Sequence, residues 1–324
     1  MTQGFTLVMV PPHQEDTSTW PRRLEQAVPG LKVLRPGTTN EAAEALAEAD
    51  AAYGTLPADL LRHATRLRWL QAPQAGPPPG FYHADLIAHP VRVTNMRDTY
   101  TDHVATHTMA LVLSLARGIP MYVRAQEQSR WAPDWDPGSV LALAEIRALV
   151  VGVGAIGAEV GRMLAAFGTQ VVGIDARRTD APEGFTTVRP PDTVDDEIPR
   201  ADLVILAIPH TPETEGLINP RRLKLFRKSA YLINIGRGPL VQLDALNHAL
   251  EVKELAGAAL DVFETEPLPA EHPLWQRKNV LITPHVAGAG PHSEERRFAV
   301  ILENAKRFAA GEPLINVVDK ALWF

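Results

Sequence analysis

The chain has 324 residues, 45% hydrophobic and 22% charged, a length that suggests two domains and lets about 75% of the unfolded surface be buried without staples. Its 32 basic and 38 acidic residues give a net charge of −6, which argues against a nucleic-acid partner. The absence of cysteine excludes disulfides, thiolate zinc sites and cysteine nucleophiles, and fits a reducing cytoplasm. No basic segment precedes the first apolar stretch, and no run approaches the roughly 18 apolar residues of a membrane span. The expectation is a cytoplasmic protein without a membrane partner.

In chain order, residues 5–10, 31–34, 51–53, 67–71 and 91–94 read as strands. Helical stretches lie between them, such as 40–49 with Asn40 as its cap. This alternation predicts a mostly parallel sheet with helices on both faces. Residues 101–117 read as a long helix covered on several sides, because 111–115 is apolar beyond one stripe. A second helical piece follows Pro120, and then an irregular segment with Trp131 and Trp135. That segment reads either as core or as an arm reaching a second copy. A second series then begins, with strands at 146–151, 170–174, 203–208, 231–235, 256–260 and 280–283. A helix over 155–167 falls within it. The last helix is expected at 293–310, with Gly311 at its stop.

The sequence Gly152-Val153-Gly154-Ala155-Ile156-Gly157 follows a strand and opens a helix. In that setting Gly152 permits the tight turn, Gly154 lets a pyrophosphate approach the backbone, and Gly157 lets the helix pack on the strand. Ala155 and Ile156 start the helix whose free N–H groups face the phosphates. Asp175 ends the next strand, 18 residues after Gly157, near the spacing of the acid that binds the adenosine ribose. Its charge disfavours a 2′-phosphate, so NAD is the expected cofactor. Arg177 and Arg178 leave NADP as the alternative, since each is either a phosphate ligand or a solvated loop cation.

Three polar residues sit near later strand ends: Arg237 in Asn234-Ile235-Gly236-Arg237-Gly238, Glu266 before Pro267, and His285 after Pro284. Singly they read as a turn cation, a loop acid and a strand-end histidine. Together, on the carboxyl ends of a nucleotide-binding sheet, they read as chemistry. Arginine can grip a carboxylate through two N–H bonds worth about 1.5–3 kcal/mol each. Histidine can give a proton near neutral pH, and a neighbouring glutamate favours its charged form and orients it.

These motifs, with the stretch Leu206-Ala207-Ile208-Pro209, Thr211-Pro212-Glu213-Thr214 and Ala259-Leu260-Asp261-Val262-Phe263, resemble the D-isomer-specific 2-hydroxyacid dehydrogenase family. The resemblance is strong from about residue 94 to residue 285. It implies two doubly wound parallel-sheet α/β domains. A Rossmann cofactor domain, residues 98–287, would be inserted into a flavodoxin-like substrate domain, residues 1–97 plus 288–324. It also implies Arg237, Glu266 and His285 as catalytic residues, Asp261 near the nicotinamide, and Ile235 and Thr211 along the cofactor site. His210, after Pro209, reads either as a cofactor contact or as a loop histidine. The family's substrate loop corresponds to residues 73–80, where Ala75 and Gly76 keep N–H groups for the substrate carboxylate. Pro77 and Pro78 lack one, three consecutive prolines stiffen the loop, and the family's acid is missing.

The expected function is hydride transfer between NAD(H) and a small 2-keto or D-2-hydroxy acid. The alternative is a nucleotide-sensing binding protein similar to the corepressors of this fold, with little or no turnover. No metal is expected. His103 and His107, four apart on a helix, lack the glutamate of a zinc-protease helix and read as a surface or subunit-contact pair. A homodimer is expected through the helix 101–117 and the tryptophan arm.

Overall fold

The computed structural model describes residues 4–14, 17–78, 80–134 and 140–323. Pro79 and the part of the tryptophan segment from Trp135 to Gly138 lie outside the described residues. The chain forms two compact units, Met1–Thr99 with Gly290–Phe324, and Tyr100–Ala289.

The first unit holds a five-stranded parallel sheet of β1 (Phe5–Met9), β2 (Leu31–Leu34), β3 (Ala51–Tyr53), β4 (Trp69–Gln71) and β5 (Arg92–Thr94). Its order is β2-β1-β3-β4-β5, the flavodoxin-like arrangement. The inner strands β3 and β4 are buried along their whole length, as a sheet covered on both faces demands. Helices α1 (Trp20–Ala27), α2 (Thr39–Leu46), α3 (Ala58–Leu61) and α4 (Ala84–Ala88) lie between the strands in sequence. The cap of α2 is Thr38 rather than Asn40. Its side chain accepts from the Glu41 N–H while Glu41 turns back to the Thr38 N–H, because the Ser/Thr-x-x-Glu spacing satisfies two orphan donors at once.

The C-terminal helix Ser293–Ala310 belongs to this first unit. Phe298 packs edge-on against Trp20 at 5.7 Å, and Phe308 lies 5.7 Å from Trp69. A buried polar chain accompanies this packing. The Trp69 indole donates to Thr94, Thr94 donates to Gln71, and Asn304 from the C-terminal helix donates to the same Gln71 oxygen. Trp69, Thr94, Gln71 and Asn304 thus satisfy one another in the core.

The second unit holds seven parallel strands: β6 (Arg147–Val151), β7 (Gln170–Ile174), β8 (Phe185–Arg189), β9 (Leu203–Leu206), β10 (Tyr231–Asn234), β11 (Gly257–Leu260) and β12 (Val280–Ile282). Their order is β12-β11-β10-β9-β6-β7-β8, a dinucleotide-binding order extended by one strand. Strand β8 is absent from the sequence reading. Its pattern Phe-Thr-Thr-Val-Arg is half-buried on the sheet edge, so neither a continuous apolar run nor a clean alternation marks it.

The helices of this unit are α5 (Thr101–Ala116), α6 (Ile119–Glu127), α7 (Ala155–Ala166), α8 (Val194–Glu197), α9 (Pro220–Leu223) and α10 (Leu243–Glu251). Helix α5 buries Val104, Met109, Leu111, Val112 and Leu115 inside its own unit, packed against α7. These apolar side chains are therefore covered within this chain, as a helix apolar beyond one stripe requires. Among the exposed large apolar residues, Ile119, Met121, Tyr122 and Val123 cluster on α6. Trp131 is 95% exposed, which rules out the core reading for it. Among the described residues no single helix is long and apolar enough to cross a membrane.

Candidate active site

Strand order reverses between β6 and β9, and ligands of such sheets bind outside the carboxyl strand ends at that point. The turn Gly152–Gly157 sits there. Gly152 has φ +96°, and a Cβ on it would stand 2.6 Å from the Ala207 oxygen that follows β9. A Cβ on Gly157 would lie 1.8 Å from the Gly152 oxygen. Both contacts are with backbone, so only glycine closes this turn. Around Gly154 the space is open, with nothing within 4 Å of an added Cβ. Gly154 is also the N-cap of α7 and brings no side-chain cap. The first N–H groups of a twelve-residue helix are thus left for an outside acceptor. The open approach and the uncapped helix start fit a dinucleotide pyrophosphate, with Ala155 and Ile156 in the first turn.

Asp175 follows β7. One of its oxygens accepts from the Val153 N–H at 2.8 Å, and the other accepts from Arg177 and Arg178 N–H at 2.8 Å each. The carboxylate is therefore fixed beside the glycine turn. Arg178 reaches back to the Val153 carbonyl at 3.2 Å and lies 3.5 Å from Asp180, while Arg177 is exposed.

Beyond β9 the chain turns through Pro209, His210 and Thr211. Thr214 closes this turn, accepting from the Thr211 N–H at 2.8 Å and donating to the Pro209 carbonyl at 2.9 Å. Thr211 is buried, and His210 lies 3.5 Å from Glu215. Ile235, just past β10, is buried and its N–H donates to the Leu206 carbonyl. Asn234 has no exposed surface. It accepts from the Gly236 N–H and donates to the Arg237 carbonyl at 2.9 Å, which presents Arg237 at the strand end. Arg237 is half-buried and donates to the Gly236 carbonyl at 2.6 Å. Burial holds its guanidinium below the usual arginine range, against the partial opposition of Glu266. A buried cation favours an anionic partner.

The ends of β11 and β12 carry the remaining groups. His285 Nδ1 stands 2.6 Å from Glu266 Oε2, and Glu266 Oε1 accepts from the Phe263 N–H at 2.9 Å. The acid is therefore anchored at one oxygen and holds the ring with the other. The His285 and Glu266 side chains are 48% and 35% exposed, so this pair can meet a ligand. The neighbouring Glu264 has a different task, accepting from the Leu243 N–H at the start of α10. His285 itself has φ +54°, a left-handed conformation that costs a non-glycine residue about 1–2 kcal/mol.

What holds that conformation is Asp261, only 1% exposed. Its carbonyl accepts from the His285 N–H at 2.8 Å. One carboxylate oxygen accepts from the Thr283 hydroxyl at 2.6 Å and the Val286 N–H at 3.0 Å, and the other accepts from the Ala287 N–H at 3.0 Å. Asp261 thus grips the turn that carries His285. His107 is partly buried, its side chain 22% exposed. Its Nε2 lies 3.0 Å from Thr283 Oγ1 and 3.6 Å from Asp261 Oδ1. Sequence reasoning misses Asn234, Thr214 and His107 as organisers: Asn234 and Thr214 bind neighbours two to five positions away, whereas His107 meets Thr283, 176 positions later.

In the first unit, the loop after β4 is tied to the segment after β5. Asn95 donates to the Ala75 carbonyl at 2.8 Å, and the Met96 N–H donates to the Gln74 carbonyl. Ala75 and Gly76 are half-buried. The structure thus brings Gly152, Gly154, Asp175, Thr211, Ile235, Arg237, Asp261, Glu266 and His285 onto carboxyl strand ends of one sheet, while Ala75 and Gly76 stand at a strand end of the other.

Residues 109–287 match the family described as D-isomer specific 2-hydroxyacid dehydrogenase, NAD binding domain. The chain belongs to that family. It is 35% identical over 248 residues to a glyoxylate reductase of Thermofilum pendens, covering 74% of this chain and 73% of the relative. It is likewise 35% identical over 288 residues to a glyoxylate reductase of Aeropyrum pernix, covering 84% of each. Its fold matches a D-isomer specific 2-hydroxyacid dehydrogenase from Xanthobacter autotrophicus Py2, solved in complex with NADPH and MES. There the TM-score is 0.84 at 32% identity, over 99% of this chain and 100% of the other.

Proposed function

We propose that this 2-hydroxyacid dehydrogenase reduces a small 2-keto acid, with His285 as proton donor, Glu266 as its partner and Arg237 as the substrate anchor. The observation that carries this reading is the 2.6 Å contact between His285 Nδ1 and a Glu266 carboxylate that is itself anchored. It commits Nδ1 to the acid and leaves Nε2 for proton transfer. A nicotinamide cofactor with its pyrophosphate held at the glycine turn would supply the hydride for the carbonyl carbon. His285 gives its proton to the carbonyl oxygen, and the product is the 2-hydroxy acid. Arg237 binds the substrate carboxylate and polarises the adjacent carbonyl, and its burial makes that anion a welcome partner. Ala75 and Gly76 are the substrate-binding residues of the first unit, which takes the role of substrate domain.

Gly152, Gly154, Ala155, Ile156 and Gly157 hold the pyrophosphate, while His210, Thr211, Ile235 and Asp261 line the rest of the cofactor. Asp175 takes the adenosine ribose, and its charge favours NADH over NADPH, with Arg177 beside it. The working form is a cytoplasmic homodimer, and the exposed apolar residues of α6 are the surface that supports this.

Following NADH and NADPH absorbance with glyoxylate, hydroxypyruvate and pyruvate tests the activity. Oxidation with at least one acid is expected. Cofactor binding without oxidation by any of them favours the sensor instead. Arg237→Ala should lower kcat/KM by about 100-fold, the worth of one or two charge-assisted bonds. An unchanged kcat/KM would remove the anchor.

A further inference from the structure

The turn that presents His285 is held by Asp261, and the chain of bonds does not end there. Thr283 has a single hydroxyl proton. It is given to Asp261 Oδ1 at 2.6 Å. In its 3.0 Å contact with His107 the Thr283 oxygen must therefore accept, so His107 Nε2 carries a proton and donates. Helix α5 is buried along several faces and packs against α7 and the sheet, which makes it a rigid support for this donor. The result is a relay from His107 through Thr283 to Asp261, and from Asp261 to the N–H groups of Val286 and Ala287.

We propose that His107 is a positioning residue for the reduction: by fixing the Thr283 hydroxyl it aims the Asp261 carboxylate that keeps His285 left-handed and against Glu266. This rests on His285 being the proton donor. Without the His107 bond, the Thr283 hydroxyl still donates to Asp261, but its oxygen loses the donor that fixes its place, and the carboxylate is aimed less tightly. The unfavourable φ of His285 then has less to hold it. The imidazole spends less time against Glu266, while the cofactor loop after β6 is untouched.

The test compares the parent with His107→Leu, His107→Gln, Thr283→Val and the double variant His107→Leu/Thr283→Val. With NADH and whichever 2-keto acid the parent reduces, His107→Leu should lower kcat about tenfold, with KM for both reactants within about threefold. His107→Gln, whose amide nitrogen can donate from nearly the same place, should recover to within about threefold of the parent. The double variant should be no worse than Thr283→Val by more than about twofold, since both remove one relay. A His107→Leu kcat within about twofold of the parent, a glutamine variant as poor as the leucine one, or multiplying losses in the double variant would each overturn the proposal. If His107→Leu does not fold, His107→Asn, too short to reach Thr283, takes its place under the same outcomes.

A second readout needs no turnover. Amide hydrogen exchange at Val286 and Ala287 should quicken about tenfold in His107→Leu, and unchanged exchange would overturn the relay. A parent that reduces no 2-keto acid would sink the proposed reaction instead, and the exchange measurement would still decide the role of His107.

Discussion

The two turns that matter most in the seven-stranded sheet are held by different means. In Gly152–Gly157 the constraint comes largely from the turn's own residues. A Cβ at Gly157 would collide with the oxygen of Gly152, five positions earlier. In the turn from Thr283 to Ala287 the constraint comes from outside. One buried carboxylate, 22 to 26 positions away in sequence, binds its hydroxyl and N–H groups. The first turn offers bare backbone to a ligand common to many enzymes. The second offers one side chain, whose placement requires a non-glycine residue at φ +54°. A turn that presents backbone can be made of glycine, whereas a turn that presents a proton donor has to be held by its neighbours.

Substitutions can break or sharpen that contrast. His285→Ala should have the largest effect, lowering kcat by about 10²–10⁴, the worth of a positioned acid. Steady-state kinetics within tenfold of the parent would remove His285 from the chemistry. Asp261→Asn should follow. An amide must face at least one N–H or hydroxyl donor with a donor of its own, and that mismatch is worth about 1–3 kcal/mol. A fall in kcat of about 10- to 30-fold with cofactor affinity largely retained is the expected result. An equal loss of cofactor binding would show that Asp261 acts mainly through the cofactor it lines rather than through the His285 turn.

The glycine turn should respond differently. Gly157→Ala places a methyl 1.8 Å from backbone oxygen and should cost about 1–3 kcal/mol of stability, read as a lowered Tm. Gly154→Ala meets nothing within 4 Å, so its Tm should stay near the parent's while cofactor affinity drops. A Gly154 variant that melts early would contradict the open approach. The smallest effect should come from Asp175→Ala, which should reduce the preference for NADH over NADPH by about threefold to tenfold, roughly one charged hydrogen bond. A parent that already prefers NADPH would break that expectation.

Much of this was legible beforehand. The glycine turn, the alternation of strands and helices, and the order of motifs are carried by residues within a few positions of each other. Strand β8 was not legible, because its half-exposed edge lacks the apolar pattern that marks its neighbours. The Thr38 cap was overlooked in favour of Asn40, although the Thr38–Glu41 spacing signals it. What covers α5 was not legible for a different reason. An apolar helix surface looks the same in sequence whether it covers its own core or a second copy, and only packing shows that Leu111 and Leu115 are already buried. The i,i+4 spacing of His103 and His107 reads as a surface or subunit-contact pair, because a helical histidine carries no mark of the threonine it meets 176 positions later.

By itself, the sequence determined which strand ends bear chemistry, since turn conformation and strand pattern arise from steric limits between near neighbours. The tertiary structure decided how those ends are aimed: that Glu266 rather than Glu264 meets the histidine, and that Asp261, joined to His107 through Thr283, binds the turn that carries His285. Hydrogen bonds between residues far apart in the chain exist only once the strands have been laid side by side, and no local pattern records them.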